Sequence, residues 1–148
     1  RILKGDNLPS INTLVDIGNI ISLRHMVPVG GHAMDHLIGN LSLRFSTGRE
    51  EFTPVGMNNR EYPERGEVIF VDEDIVLTRR WTWRQGNHTL TLPSTNSIEY
   101  NIDGLPPVEL KMVENACREL ADLVEIYCQG KVNIELLSES KPQILLAG

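Results

Sequence analysis

The residue types best suited to chemistry lie together in Arg79 to Gln85, a run that holds both tryptophans of the chain. Guanidinium groups bind phosphate and carboxylate through paired hydrogen bonds, and indole rings stack on nucleobases. We expect the run to complete a strand from Ile75 to Arg84, which would place arginine and tryptophan on both of its faces. Two interpretations follow: the strand lines a polar cavity or anion site, or it is exposed and its arginines lie over tryptophan rings.

Two other places in the chain offer polar groups. His32 follows Gly30 and Gly31 in a predicted loop, where the glycines leave it with little steric cover. Such a histidine either carries a proton or a hydrogen bond for a ligand, or is simply solvent-exposed. Asp16 and Asn19 stand three residues apart in a helical pattern and therefore share one face, which is either solvated or directed at a site.

The elements that position these groups follow from hydrophobic period and from chain breakers. Helices are predicted at 11–25, with Ser10 as the N-cap, and at 108–128, opened by two prolines and ended by Gly130. A helical turn is predicted at 33–38, a hairpin turn at 47–50, and strands at 40–45, 51–56, 67–71, 75–84, 97–102 and 131–137. In the first strand Leu41, Leu43 and Phe45 are expected to face inward. This pattern is typical of an α+β domain of packed layers.

The chain of 148 residues is predicted to form a single domain over 1–148, because 41% apolar content is ordinary for a globular protein of this size. A formal net charge of −6 argues against nucleic-acid binding over the whole surface but leaves room for a local basic groove. Neither a membrane-spanning apolar run nor a signal peptide is seen, so no membrane partner and a cytoplasmic location are expected. Because the chain begins with Arg1, we expect it to be truncated at its N-terminus.

Cofactor and metal motifs are missing from the sequence. It has no Walker loop, dinucleotide-binding glycines, zinc-ligand spacing or Gly-x-Ser-x-Gly elbow, so neither a metal nor a cofactor is predicted. The paired carboxylates at 50–51 and 72–74 lie in predicted turns and are interpreted as solvated charge. Cys117 and Cys128 would be about 16 Å apart along one helix, which predicts two buried reduced thiols rather than a disulfide.

Three motifs in order resemble a known family. They are Leu14 to Asn19 (LVDIGN), Pro28 to Asp35 (PVGGHAMD) and Arg79 to Gln85 (RRWTWRQ). The first two are similar to motifs of the B3/B4 domain of the phenylalanyl-tRNA synthetase β-subunit, and the third is similar to that of freestanding B3/B4 proteins. Gly18 stands where the synthetase has threonine, and two glycines widen the second motif. The resemblance covers about residues 8–104.

The resemblance implies a layered α+β fold with an unusual β-sandwich flanked by helices. It also implies trans-editing, which is hydrolysis of the ester of mischarged tRNA without a metal, so the acceptor end of a tRNA is the expected partner. A non-catalytic tRNA- or protein-binding module is the alternative, and a hydrolase of small aminoacyl esters is a third possibility. The residues do not identify the amino acid, the tRNA or the oligomeric state.

Site roles follow from the resemblance as hypotheses. His32 and Asn19 would border the amino-acid pocket, with His32 binding the terminal ribose or orienting water, and Arg80 would hold a phosphate or the carbonyl oxygen. The remaining residues are expected to bind substrate: Asp16, Trp81, Trp83, Arg84, Gln85 and Thr95. All of this requires that the first helix, the histidine segment and the tryptophan segment enclose one hollow.

Overall fold

The computed structural model describes residues 8–146, which divide into two compact units. The first unit contains residues 8–29 and 102–146, and the second contains residues 30–101. Two helices and antiparallel strands make up the regular structure, which confirms the α+β prediction. The expected truncation concerns residue 1, which lies outside the described residues.

Two packed helices form the first unit. Helix α1 spans Thr13–His25 and helix α2 spans Leu110–Cys128. Apolar residues at helical spacing bury one face of each helix: Ile17 and Ile21 in α1, and Val113, Ala116, Leu120, Ala121 and Val124 in α2. Arg24 and His25 at the end of α1 both contact the carboxylate of Glu119, so an ion pair supports the apolar contact.

The helix ends differ from the prediction. Asn12, not Ser10, caps α1, because its side-chain oxygen accepts a hydrogen bond from the Val15 N–H at 3.0 Å. Helix α2 begins at Leu110, so the two prolines precede it, and it ends at Gln129 in the left-handed conformation. The predicted strand at 131–137 is wrong, because those residues have no regular structure despite their apolar alternation.

The cysteine prediction holds in part. Both cysteines are free, which confirms the expected absence of a disulfide between them. The prediction that both thiols are buried is wrong, because each cysteine is only half-buried. The buried face of α2 contains Ala116, next to Cys117, rather than either cysteine. Burial raises the pKa of the Cys117 thiol, with the Glu114 carboxylate adding to the effect.

The second unit contains two sheets. Strand β1 (Val29–Ala33) pairs with β6 (Ile98–Ile102). The other sheet is antiparallel, with strands β2 (Leu41–Phe45), β3 (Val68–Asp72), β4 (Ile75–Arg79) and β5 (Arg84–Gln85) in that order. A short 3-10 helix, Met34–His36, follows β1 and agrees with the predicted helical turn.

The four-stranded sheet has one apolar and one partly polar face. Its apolar side belongs to a buried cluster of Phe52, Ile69, Val71 and Val76. Because side chains alternate along a strand, Phe70 and Asp72 of β3 point to the opposite face. Thr78 of β4 is the register partner of Phe70, and all three residues are buried. The second face of this sheet therefore carries the buried polar side chains of Asp72 and Thr78.

Several predictions for this unit are wrong. The histidine segment is not a loop, since His32 lies in β1. Strand β4 ends at Arg79, so the predicted strand 75–84 is instead a strand, a tight turn and a second short strand. Residues 51–56 make isolated bridges rather than a strand. Leu43 and Phe45 are exposed, while Arg44 turns to a buried Glu50.

The carboxylates of the predicted turns are also not all solvated. Glu50 is 1% exposed and accepts hydrogen bonds from Ser46, Thr47 and the backbone of the turn that follows β2. Asp72 is fully buried and accepts the N–H groups of Ile38 and Gly39. Each carboxylate accepts hydrogen bonds from backbone N–H groups, so its own charge and these N–H groups are satisfied without water. A buried acidic residue is therefore stable at both positions.

Candidate functional site

A buried polar cluster surrounds His32 in the second unit. Its Nδ1 lies 2.9 Å from Oε2 of Glu99, which is in β6, and its Nε2 lies 2.9 Å from Oγ1 of Thr78, which is in β4. The ring is 1% exposed and packs against Phe70, with 5.1 Å between the ring centroids. His32 is thus held from both sheets and is not the exposed loop histidine that the flanking glycines suggested.

The partners of His32 fix where its protons lie. A carboxylate only accepts hydrogen bonds, so Nδ1 must carry a hydrogen that it donates to Glu99. In the neutral ring Nε2 then accepts the hydroxyl hydrogen of Thr78, and in the charged ring Nε2 donates to that oxygen instead. Both nitrogens are therefore occupied in either state, and the ring can take part in proton transfer only by giving up Thr78.

Gln85 extends this cluster through the backbone of β1. Its Oε1 lies 3.4 Å from the Thr78 hydroxyl and its Nε2 donates to the carbonyl of Gly31 at 3.4 Å. Both distances are long for hydrogen bonds, so the Gln85 amide is held weakly. The Gln85 residue is half-buried. Among the predicted site residues, His32 and Gln85 are brought together by the fold.

The two glycines before His32 have a packing role. A Cβ at Gly30 would lie 2.6 Å from Oδ1 of Asn101, and one at Gly31 would lie 3.1 Å from Cδ1 of Ile98. Side chains of β6 therefore occupy the space beside β1, so a Cβ at Gly30 would require Asn101 to move and one at Gly31 would be tight against Ile98. The same glycines that suggested a loop allow β1 to approach β6 closely.

The tryptophan run forms the turn between β4 and β5. Arg80 and Trp81 both have positive φ, 48° and 63°, a conformation that costs non-glycine residues about 1–2 kcal/mol each. The turn leaves Trp83 64% exposed, with the Arg80 guanidinium 4.9 Å from the centroid of its ring. Arg84 lies 5.8 Å from the same ring. This stacked pair is the cation–π arrangement that was one of the two interpretations of the run.

Carboxylates hold two of the three arginines in the run. Glu61 accepts hydrogen bonds from Arg84 at 2.7 and 3.0 Å and from Arg79 at 3.0 Å. Glu67 binds Arg79 through both of its oxygens, at 2.7 and 2.8 Å. Hydrogen bonds from Arg84 lower the pKa of Glu61, and those from Arg79 lower the pKa of Glu67. Of the three arginines in the run, Arg80 is the one whose guanidinium has no carboxylate partner within residues 8–146.

The remaining predicted residues lie elsewhere. Asp16 and Asn19 are on α1 in the first unit, where Asp16 accepts hydrogen bonds from the Ser10 hydroxyl and the Ile11 N–H. These bonds lower the pKa of Asp16, the Ser10 bond most. Thr95 accepts the Leu92 N–H in a turn of the second unit. The roles proposed for these three residues stay predictions.

Sequence reasoning missed the acidic partners of the site: Glu61, Glu67 and Glu99. Buried arginines and histidines need carboxylates nearby, so the sequence could have indicated that acidic partners exist. The sequence could not identify which acidic residues are the partners, because Glu99, for example, is 67 residues from His32 along the chain. The pairing of β1 with β6 creates this contact.

No group of three or more histidines, cysteines or acidic residues within the described part of the chain could hold a metal ion. Over the same residues, neither helix has the length and apolar content needed to cross a membrane.

Comparisons with known proteins agree on one family. The model of the B3/4 domain matches residues 1–129. The chain is 24% identical over 102 residues to the phenylalanine–tRNA ligase beta subunit of Mycoplasma genitalium, a match that spans 68% of this chain and 12% of that protein. It also resembles the crystal structure of an N-terminal fragment of the phenylalanyl-tRNA synthetase beta-subunit from Pyrococcus horikoshii. That match has a TM-score of 0.60 at 14% identity and covers 75% of this chain and 38% of the fragment. The chain belongs to the B3/4 domain family.

Proposed function

We propose that this protein is a trans-editing deacylase that hydrolyses the ester of mischarged tRNA. The observation that carries the proposal is the buried polar cluster of His32, Glu99, Thr78 and Gln85, which spans both sheets of the second unit. A sheet that needed only stability would carry aliphatic residues at these positions, because a buried polar network adds little net free energy. Membership of the B3/4 family supports the same conclusion.

Hydrolysis of an aminoacyl ester requires few catalytic groups. An aminoacyl ester is already activated, so a positioned water and a held carbonyl oxygen suffice for hydrolysis. In this proposal Gln85 offers its weakly held amide to the substrate. When Nε2 of His32 donates to Thr78, the Thr78 hydroxyl hydrogen is left to bind Oε1 of Gln85, so His32 positions Gln85 through Thr78. Thr95, in the turn before β6, remains a candidate for sorting amino-acid side chains.

The exposed arginine and tryptophan are suited to the tRNA end. The Arg80 guanidinium has no carboxylate partner among the described residues and can bind a phosphate. The 64% exposed ring of Trp83 can stack on a terminal base. Trp81 lies in the same turn and is half-buried, so Trp83 is the stronger candidate for the base contact.

Deacylation of a panel of mischarged tRNAs, with the protein well below the substrate concentration, tests the proposal. We expect multiple turnovers by the wild type and a large loss in His32→Ala and in Arg80→Ala. Two matched controls lie in the first unit: His25→Ala, and Arg118→Ala at an arginine that is also exposed. Variants that keep the full rate would refute these roles, and absence of turnover on every substrate would refute the proposed activity.

A non-catalytic tRNA-binding module is the second candidate. It is favoured by the exposed Arg80 and Trp83 pair, which would bind RNA whether or not an ester is cleaved. A binder would shift the electrophoretic mobility of uncharged tRNA in a salt-dependent way and would leave the ester intact. The deacylation assay therefore separates the two candidates directly.

A further inference from the structure

A second histidine–carboxylate pair lies in the second unit, away from the contacts of His32. His88 and His36 border a cavity of about 380 Å³, whose other lining residues are Asn87, Leu90 and Leu92. The Nε2 atom of His88 lies 3.0 Å from Oδ2 of the fully buried Asp72. The His88 side chain is 22% exposed, so one edge of the ring remains accessible.

Asp72 is firmly fixed in this pair. Its two oxygens also accept the N–H groups of Ile38 at 2.7 Å and Gly39 at 2.8 Å. Burial opposes ionisation, but these N–H groups and the His88 ring together hold the pKa of Asp72 below its ordinary value. The carboxylate therefore stays ionised and accepts a hydrogen from His88.

This contact leaves the other nitrogen of His88 available. Because Asp72 accepts the Nε2 hydrogen, Nδ1 of the neutral ring carries the lone pair. Within residues 8–146 no protein group binds that nitrogen. His32 differs, since Glu99 and Thr78 occupy both of its nitrogens and its ring is 1% exposed.

The two histidines lie over the same face of one strand. The ring of His32 packs on Phe70, and His88 binds Asp72, two residues further along β3. Residues two apart point to the same side of a strand and are about 7 Å apart. Phe70 and Asp72, the side chains that the two histidines contact, are therefore neighbours on one face of β3.

We propose that His88, positioned by Asp72, is the general base of the hydrolysis and that His32 is a positioning residue. This inference rests on the proposed deacylase function and assigns the proton transfer within it. Among the described residues, the only other titratable side chain that lines the cavity is His36, which is exposed.

The proposed step balances in atoms and charge. Nδ1 of His88 removes a proton from water as the water oxygen bonds to the ester carbonyl carbon. The resulting tetrahedral intermediate collapses by breaking the bond between that carbon and the ribose oxygen. The His88 imidazolium returns its proton to the leaving oxygen, which gives a free amino acid and a free ribose hydroxyl. General-base catalysis of this kind contributes about 10²–10⁴-fold.

The test uses the full chain and the mischarged tRNA that the wild type hydrolyses fastest. We expect His88→Ala to lower kcat by about 100-fold or more with little change in KM, and free imidazole to restore part of the rate. His25→Ala serves as the matched control, because this histidine also binds a carboxylate but lies in the first unit. Circular dichroism checks that each variant is folded.

A second measurement on the wild type does not depend on variant folding. Nitrogen-15 NMR of labelled histidine should show His88 with its hydrogen on Nε2, and a hydrogen on Nδ1 would overturn the inference. If the wild type turns over and folded His88→Ala keeps its kcat, or imidazole gives no rescue, His88 is not the base although the protein is a deacylase. If the wild type itself has no turnover, the proposed function fails and this inference fails with it.

Discussion

The substitution Thr78→Val tests whether Thr78 holds His32 in place. Valine has nearly the shape of threonine but cannot hydrogen-bond, so Nε2 of His32 would lose its partner, which lies at 2.9 Å. Both side chains are buried, with exposures of 7% for Thr78 and 1% for His32. An unsatisfied buried polar group costs about 1–3 kcal/mol. For a chain of this size that loss lowers the melting temperature by roughly 2–12 °C.

A double-mutant cycle isolates the contact from other effects of the substitution. Thr78→Val and His32→Phe are made singly and together, and the free energy of unfolding is measured by urea denaturation. We expect a coupling energy of about 1–3 kcal/mol, the usual range for buried partners in one hydrogen-bond network. Thr78→Ser keeps the hydroxyl and should retain most of the stability.

The same variant also tests the role proposed for His32 in deacylation. If His32 positions Gln85 through Thr78, Thr78→Val should lower kcat for deacylation while tRNA affinity stays unchanged. A coupling energy below about 0.5 kcal/mol would show that the hydrogen bond does not hold His32. An unchanged kcat in a folded variant would instead show that the bond exists without serving the reaction.

Three further predictions concern other parts of the second unit. Burial opposes ionisation of Glu50, but bonds from Thr47 and its neighbours lower its pKa, so Glu50→Gln should cost about 3 kcal/mol at pH 7. That loss should narrow below about pH 4, where the unfolded carboxyl takes up a proton, and unfolding measured at both pH values checks it. Trp83→Ala should change stability by less than about 0.5 kcal/mol yet weaken tRNA binding by about 1–3 kcal/mol in a filter-binding titration; an unchanged Kd contradicts the stacking role. Gly86→Ala should cost at least about 1–3 kcal/mol in thermal unfolding, because its Cβ would lie 2.8 Å from the backbone oxygen of Val76; an unchanged melting temperature would contradict this.

Elements with a long and regular pattern could be predicted from the sequence. Helix α2 and strand β6 lie within two residues of their predicted bounds, because their apolar spacing and flanking breakers agree. The segment 131–137 shows the limit of that signal. Its apolar residues alternate, but a strand also requires a neighbour to accept its hydrogen bonds, and alternation says nothing about a neighbour.

The errors at the candidate site have a common physical cause. Glycines at 30 and 31 indicated a loop, whereas they are in β1 because side chains of β6 fill the space where their Cβ atoms would be. Arg80 and Trp81 were expected to continue a strand, but both adopt the left-handed conformation. No propensity of arginine or tryptophan predicts that conformation, and hydrogen bonds from Trp81 to Val68 and from Trp83 to Arg79 accompany it. Tertiary contacts decided both cases.

The arrangement of charge narrows how this chain can bind RNA. Two of the three arginines in the run are already neutralised by Glu61 and Glu67, and the formal net charge is −6. Phosphate binding through Arg84 would have to displace the two hydrogen bonds that it makes with Glu61, whereas Arg80 is available without such a cost. Since each phosphate contact to a single strand adds about 0.7 to the slope of log affinity against log salt, binding through Arg80 alone should give a slope near −0.7. A slope near −1.4 would indicate a second phosphate contact and would contradict the expectation that Arg80 acts alone.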